Sequence, residues 1–275
     1  MNLRRGIDPD EIKYLYLDEG WTMAELAEHY GCGEMTIRRR LDDLGIPARP
    51  RGPQVSAYIS CEWSPQLAYA VGLITTDGNL SSDGRHMSVV SKDHDLLETL
   101  RDCLHLENSI TPHAGGVGQG AYRIQWGDRH FYDWLLSIGL MPAKSLQLGP
   151  MAVPDEHLAD FMRGCIDGDG SIMTYTDRYN TYKGKQYVNE RLFVSLVSAS
   201  HLFLEWLQSS ITRLIDVSGA LFVHTGPTSN HATVWVLKYA KHESMSLLKW
   251  MYYAPDIPCL TRKRDIASPF LTESD

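Results

Sequence analysis

Two stretches of this chain end alike, in an apolar, small-residue run that stops at Asp-Gly. They are LAYAVGLITTDGNL (67–80) and LADFMRGCIDGDGSI (158–172). Each reads as a helix with small residues four apart: Ala68, Gly72 and Thr76 in the first, Gly164 and Gly168 in the second. That spacing places them on one helix face, where two backbones can approach closely. Each helix stops at a glycine, Gly78 or Gly170, expected in the left-handed conformation common at helix ends. The residue before each stop is a carboxylate, Asp77 or Asp169. If the two helices pack together, both carboxylates reach one end of the pair, and two acids at one point suit a hard divalent cation.

Asp-Gly alone is an ordinary turn dipeptide; the signal lies in what repeats behind it. MSVVSKDHDLLETLRDCL (87–104) aligns with FVSLVSASHLFLEWLQSSI (193–211), setting Ser88 on Ser195, His94 on His201 and Glu98 on Glu205. Both read as a strand followed by an amphipathic helix. The offset is 107 residues here but 92 at the acidic motif. The second half therefore carries 15 extra residues, expected as a longer hairpin in the polar run YTDRYNTYKGKQYVN. A third pair, 121–140 with 232–253, is again strand then helix, and each is followed by a proline-containing loop bearing a lysine, Lys144 or Lys263. Each half reads as helix, two strands, helix, strand or strand pair, helix, an internal duplication that points to a duplicated fold.

These motifs resemble the LAGLIDADG homing endonuclease family in its single-chain, two-repeat form, over about residues 64–270. AVGLITTDG (70–78) and MRGCIDGDG (162–170) stand in the nine motif positions. An earlier motif acid is Thr75 in the first and Asp167 in the second, at a position that does not bind metal in the family. The resemblance implies an α+β fold of two pseudo-symmetric αββαββα-type repeats with antiparallel, saddle-shaped sheets, repeat one spanning 61–150 and repeat two 151–275. It implies Mg²⁺, with Mn²⁺ as a substitute, at Asp77 and Asp169, joined by backbone carbonyls of Thr76 and Gly168. It makes Ala68, Gly72, Gly164 and Gly168 the interface of the motif helices. Lys144 and Lys263 become the basic residues flanking the metals. Lys92 is a third catalytic candidate; its counterpart is Ala199, so its role would be one-sided. The implied activity is a double-strand cut across the minor groove of a long asymmetric DNA site, leaving short 3′ overhangs, made by a monomer with an internal pseudo-two-fold axis. The other readings are a non-catalytic DNA-binding regulator on this fold, which retention of both acids disfavours, and an RNA-splicing maturase.

The N-terminus carries a separate signal. Residues 1–46 read as a helix-turn-helix domain of three short helices, similar to those of resolvases. Thr22 and Glu25 form a capping box, and Ala27, Gly31 and Ile37 fall where a close crossing, a turn and an anchored recognition helix need them. The third helix exposes Glu34, Thr36, Arg38, Arg39 and Arg40, the arginines suited to guanine edges or phosphates. Residues 47–60 form a Pro/Arg-rich linker in which Arg49 and Arg51 are candidate minor-groove contacts.

Charge runs against a nucleic-acid partner, since the chain carries a net −8. Basic residues nevertheless cluster at 38–51, 178–191 and 262–264. Five cysteines without a Cys-x2-Cys pair argue against a disulfide framework or zinc site and for a reducing, cytoplasmic location. No apolar run reaches membrane-spanning length.

Overall fold

A computed structural model of the chain describes residues 7–48, 58–113, 120–182, 185–224 and 233–271. They fall into two compact units, 1–56 and 57–275. The first holds three helices, α1 (Pro9–Leu17), α2 (Met23–Tyr30) and α3 (Glu34–Asp43), closed around Ile12, Tyr16, Leu26, Ala27, Ile37 and Leu41. The Thr22–Glu25 capping box opens α2, and Gly31 ends it at φ 63, the left-handed turn that frees α3 to change direction.

The second unit is built twice. Repeat one runs α4 (Pro65–Asp77), β1 (Gly78–Leu80), β2 (His86–Ser91), α5 (His94–Cys103), β3 (Thr111–His113), β4 (Ala121–Gly127) and α6 (Arg129–Ser137). Repeat two runs α7 (Leu158–Asp169), β5 (Gly170–Tyr182), β6 (Lys185–Ser198), α8 (His201–Ile215), β7 (Ala220–His224), β8 (Val234–Tyr239) and α9 (Lys241–Met251), followed by α10 (Thr261–Leu271). Each repeat forms an antiparallel four-stranded sheet, ordered β1-β2-β4-β3 and β5-β6-β8-β7. The α+β fold of two pseudo-symmetric αββαββα repeats is therefore present. Gly78 pairs with Val89 and Gly170 with Leu196, so the offsets of 92 and 107 are both observed, and the 15 extra residues lie in the long β5–β6 hairpin. His94 and His201 each open the outer helix of their repeat and meet Glu98 and Glu205 one turn on.

Alternation along the strands puts Met87, Val89, Ile124, Trp126, Ile172, Leu192, Val194, Leu196, Leu237 and Tyr239 into one continuous core with the helices. At its centre α4 lies against α7. Ala68 is fully buried. A Cβ at Gly72 would collide with Phe161 O, one at Gly164 with Tyr69 O, and one at Gly168 with the Thr76 hydroxyl. Only glycine permits this crossing. The Cys165 thiol spans the contact and points to Gly72 O at 3.5 Å.

One expectation fails. Gly78 and Gly170 are extended, at φ −78, ψ 149 and φ −87, ψ 171, not left-handed. Each motif helix turns directly into a strand, and the glycine is required by crowding, because a Cβ would strike the Ile74 or Ile166 backbone one turn back.

Alanine at Gly164 should lower stability by about 2–3 kcal/mol, because no side-chain motion relieves a clash with backbone. The change is read as a shift in the urea midpoint, and an unchanged midpoint would contradict the close crossing.

Candidate functional site

Because α4 and α7 cross so tightly and end together, Asp77 and Asp169 close their helices side by side; a Cβ on Gly168 would lie 3.1 Å from Asp77 Oδ1. Asp77 is half-buried, whereas Asp169 is exposed at one edge. A helix C-terminus also presents the negative end of its dipole, so two carboxylates here are doubly unfavourable without a cation. Burial and then the Asp169 charge push the Asp77 carboxyl up to about 7, and burial raises Asp169 as well. Among the described residues neither carboxylate accepts a hydrogen bond.

Two lysines provide part of the missing positive charge, and both are buried, although the sequence reads each as part of a proline-containing loop. Lys144 opens a short 3-10 turn (Lys144–Leu146), is only 9% exposed, and donates to Gly78 O at the end of α4. Lys263 belongs to helix α10 and is 4% exposed. Its ammonium donates to Ile166 O (2.5 Å), Asp167 O (2.9 Å), Gly170 O (2.8 Å) and, more weakly, Gly168 O (3.3 Å) at the end of α7. Each lysine thus caps the motif helix of its own repeat. Electrostatically they act crosswise, for the strongest favourable charge on Asp169 is that of Lys144, and on Asp77 that of Lys263. Burial lowers the pKa of both ammoniums. A cleft of about 320 Å³ opens beside the pair, lined by Asp169, Ser171, Arg262, Lys263 and Ile266.

The other candidates sort as follows. Thr76 lies at the crossing, its hydroxyl turned back to Leu73 O at 3.1 Å. The Gly168 carbonyl already faces Lys263. Lys92 is exposed beyond β2. In the N-terminal unit, Thr36, Arg39 and Arg40 are exposed on α3, while Arg38 is half-buried and paired with Asp42 at 3.0 Å. Arg49 and Arg51 lie outside the described residues. Among the described residues no three His, Cys, Asp or Glu side chains cluster as a ready-made metal cage, and no helix is long and apolar enough to cross a membrane.

Sequence reading missed a buried network behind the acids. Arg163, fully buried, pairs with Asp160 at 2.5 Å and donates to Met251 O and Pro258 O. Tyr253 also bonds Asp160, at 2.9 Å. Asp167, the motif acid replaced by Thr75 in repeat one, accepts from the Tyr69 hydroxyl (2.9 Å) and from Leu260 N (2.7 Å). These bonds tie the segment leading into α10 to α7 and so hold Lys263 over its carbonyls. The available clue was two opposite charges, Asp160 and Arg163, three residues apart in the otherwise apolar first half of α7.

No family model matches the chain, and no curated protein is similar to it at a significant level. Solved structures with a similar fold include the LAGLIDADG homing endonuclease I-LtrWI bound to target DNA (12% identity, 75% of this chain and 89% of that chain, TM-score 0.49). I-DmoI in complex with DNA and Ca is 15% identical over 74% of this chain and 97% of that chain, with TM-score 0.48. The duplicated element order of the second unit and its two antiparallel four-stranded sheets match the two-repeat fold expected from the sequence.

The raised Asp77 pKa has a thermodynamic consequence with a definite sign. A carboxyl whose pKa is higher folded than unfolded costs nothing below about pH 4 and its full penalty above about pH 7. Asp77→Asn should therefore stabilise the metal-free protein at pH 8 by on the order of 2 kcal/mol, discounted for partial exposure, and by almost nothing at pH 4. Equal urea midpoints for the two proteins at pH 8 would contradict the assigned strain.

Proposed function

We propose that the chain is a DNA endonuclease that hydrolyses both strands at the acid pair, with a divalent cation, Mg²⁺ or Mn²⁺, as cofactor. The observation that carries this reading is the pair itself, Asp77 and Asp169, held together by a glycine-only crossing, with no hydrogen-bond donor to either carboxylate among the described residues. Proteins do not ordinarily keep two acids side by side at adjacent helix C-termini unless positive charge offsets them. The donor set is hard oxygen, which suits a Mg²⁺ that retains much of its water. Bound there, the ion would supply the Lewis acidity for phosphodiester hydrolysis.

The protein's own groups do the rest. Asp77 and Asp169 would hold the cation through their carboxylates, and the raised pKa of Asp77 makes protons compete with the cation below about pH 7. Lys144 and Lys263, fixed by their carbonyl contacts, keep positive charge beside the reacting phosphate and stabilise charge developing there. With one acid and one lysine from each repeat, one chain furnishes two half-sites for two strands, consistent with a monomer on an asymmetric duplex. Thr36, Arg38, Arg39 and Arg40 of α3 are proposed to contact DNA through the helix-turn-helix unit, with Arg49 and Arg51 of the linker. Retention of both acids favours this reading over a non-catalytic regulator.

Asp77→Asn or Asp169→Asn should each abolish double-strand cleavage in a plasmid-library assay with Mg²⁺ while preserving DNA binding by gel shift; cleavage at the original rate in either variant would refute the site. Mn²⁺ affinity of the free protein, measured by calorimetry, should rise up to about tenfold per pH unit below 7 and level off above it. A flat profile from pH 5 to 8 would remove Asp77 from the metal site. Alanine at both Arg39 and Arg40 should reduce the salt dependence of binding by about two units of slope, and an unaltered slope would exclude α3 from the DNA.

A further inference from the structure

The open faces of the two sheets, which continue directly from Asp77 into β1 and from Asp169 into β5, are chemically unlike. Strand register identifies the side chains on each. In repeat one, Asn79, Ser88 and Gln125 form one rung, and Val90, Arg123 and Thr111 the next. In repeat two, Met173 stands beside Phe193, and Val197, Val236 and Phe222 form a rung across three strands. Met173 is 51% exposed, Tyr175 50%, Phe222 42% and Val197 38%. Tyr175 stacks on Phe193, and the Lys238 ammonium lies 3.9 Å from the Phe193 ring centre. Repeat one presents amide, hydroxyl and guanidinium groups; repeat two keeps one polar rung, Ser171, Ser195 and Lys238, and flanks it with thioether, aliphatic and aromatic surface.

We infer that the two halves of the duplex target are read by different chemistry: repeat two selects thymine-rich sequence through the thymine 5-methyl groups, and repeat one reads base edges by hydrogen bonds. This rests on the proposed endonuclease reading, with duplex DNA as the occupant of both faces. In the major groove the thymine methyl is the apolar feature a side chain can pack against, while Arg pairs with guanine and Gln or Asn with adenine. Exposed Met, Val and Phe side chains gain from packing on a thymine methyl and have no equivalent apolar group to pack on at a G·C pair. Repeat one has the opposite constraint, since Asn79, Gln125 and Arg123 satisfy polar edges and have little to gain from a methyl.

The test is selection of bound duplexes from a randomised pool by the full-length protein in Ca²⁺, followed by deoxyuridine-for-thymidine substitution in each half of the selected site. Deoxyuridine keeps every hydrogen-bonding group and removes only the methyl. The expected result is a thymine-enriched half whose binding weakens about fourfold per methyl removed, with little change when the other half is substituted. Met173→Ser combined with Phe222→Ser should abolish that uracil sensitivity, and Gln125→Leu should alter base preference only in the opposite half. All three side chains lie on open sheet faces, and circular dichroism of the variants checks that they fold. Equal uracil sensitivity in both halves, or a sensitive half unaffected by the Met173 and Phe222 changes, overturns the inference while leaving the endonuclease reading intact. Failure to select any duplex refutes both.

Discussion

The close passage of α4 and α7 is the constraint on which the rest depends. Glycine at 72 and 164 lets the backbone of each helix touch the other, and any Cβ there would meet a carbonyl oxygen. Two helices brought that near must end near each other, so their C-terminal carbonyls and the aspartates beside them are concentrated in a small space. The resulting field is unfavourable to Asp77 and favourable to buried ammoniums. Lys144 and Lys263 occupy those positions at a desolvation cost that lowers their own pKa values. Geometry, acid strain and lysine placement are consequences of one contact.

The pseudo-symmetry is close in topology and loose in chemistry. Lys263 meets four carbonyls and sits on a helix, whereas Lys144 meets Gly78 O from a short turn. Asp167 in repeat two accepts from Leu260 and Tyr69; Thr75, at the equivalent position, merely bonds back to Val71 O at 2.7 Å. The Arg163–Asp160 pair is replaced in repeat one by Val71 and Ala68. Buried ion pairs are costly unless every polar group finds a partner, and Arg163 has three acceptors. The two sheet faces extend the same asymmetry to the surface that follows the acids.

Much of this architecture was legible in the sequence because it is written in periodicity. Small residues four apart mark a helix face, and register offsets between Ser88 and Ser195 or Asp77 and Asp169 map the duplication and the long hairpin without reference to tertiary contacts. What escaped depends on the surroundings of a residue and not on its own sequence neighbours. Gly78 and Gly170 look like left-handed helix stops, yet they are extended because Ile74 and Ile166 crowd the site where a Cβ would go. Lys144 and Lys263 look solvated in proline-bearing segments, yet long-range folding buries them against carbonyls 66 and up to 97 positions away. A net charge of −8 likewise says little about where the positive groups point. The motif acids themselves were readable, but the strain on them follows from burial and could not be.

The cation site proposed at the convergent acids is open to direct observation. Anomalous diffraction from crystals of the full chain grown with Mn²⁺ tests it most directly. Manganese bound to carboxylate oxygens of both Asp77 and Asp169, beside the Lys144 and Lys263 ammoniums, is the predicted result. Manganese absent from both carboxylates at saturating concentration would contradict the account.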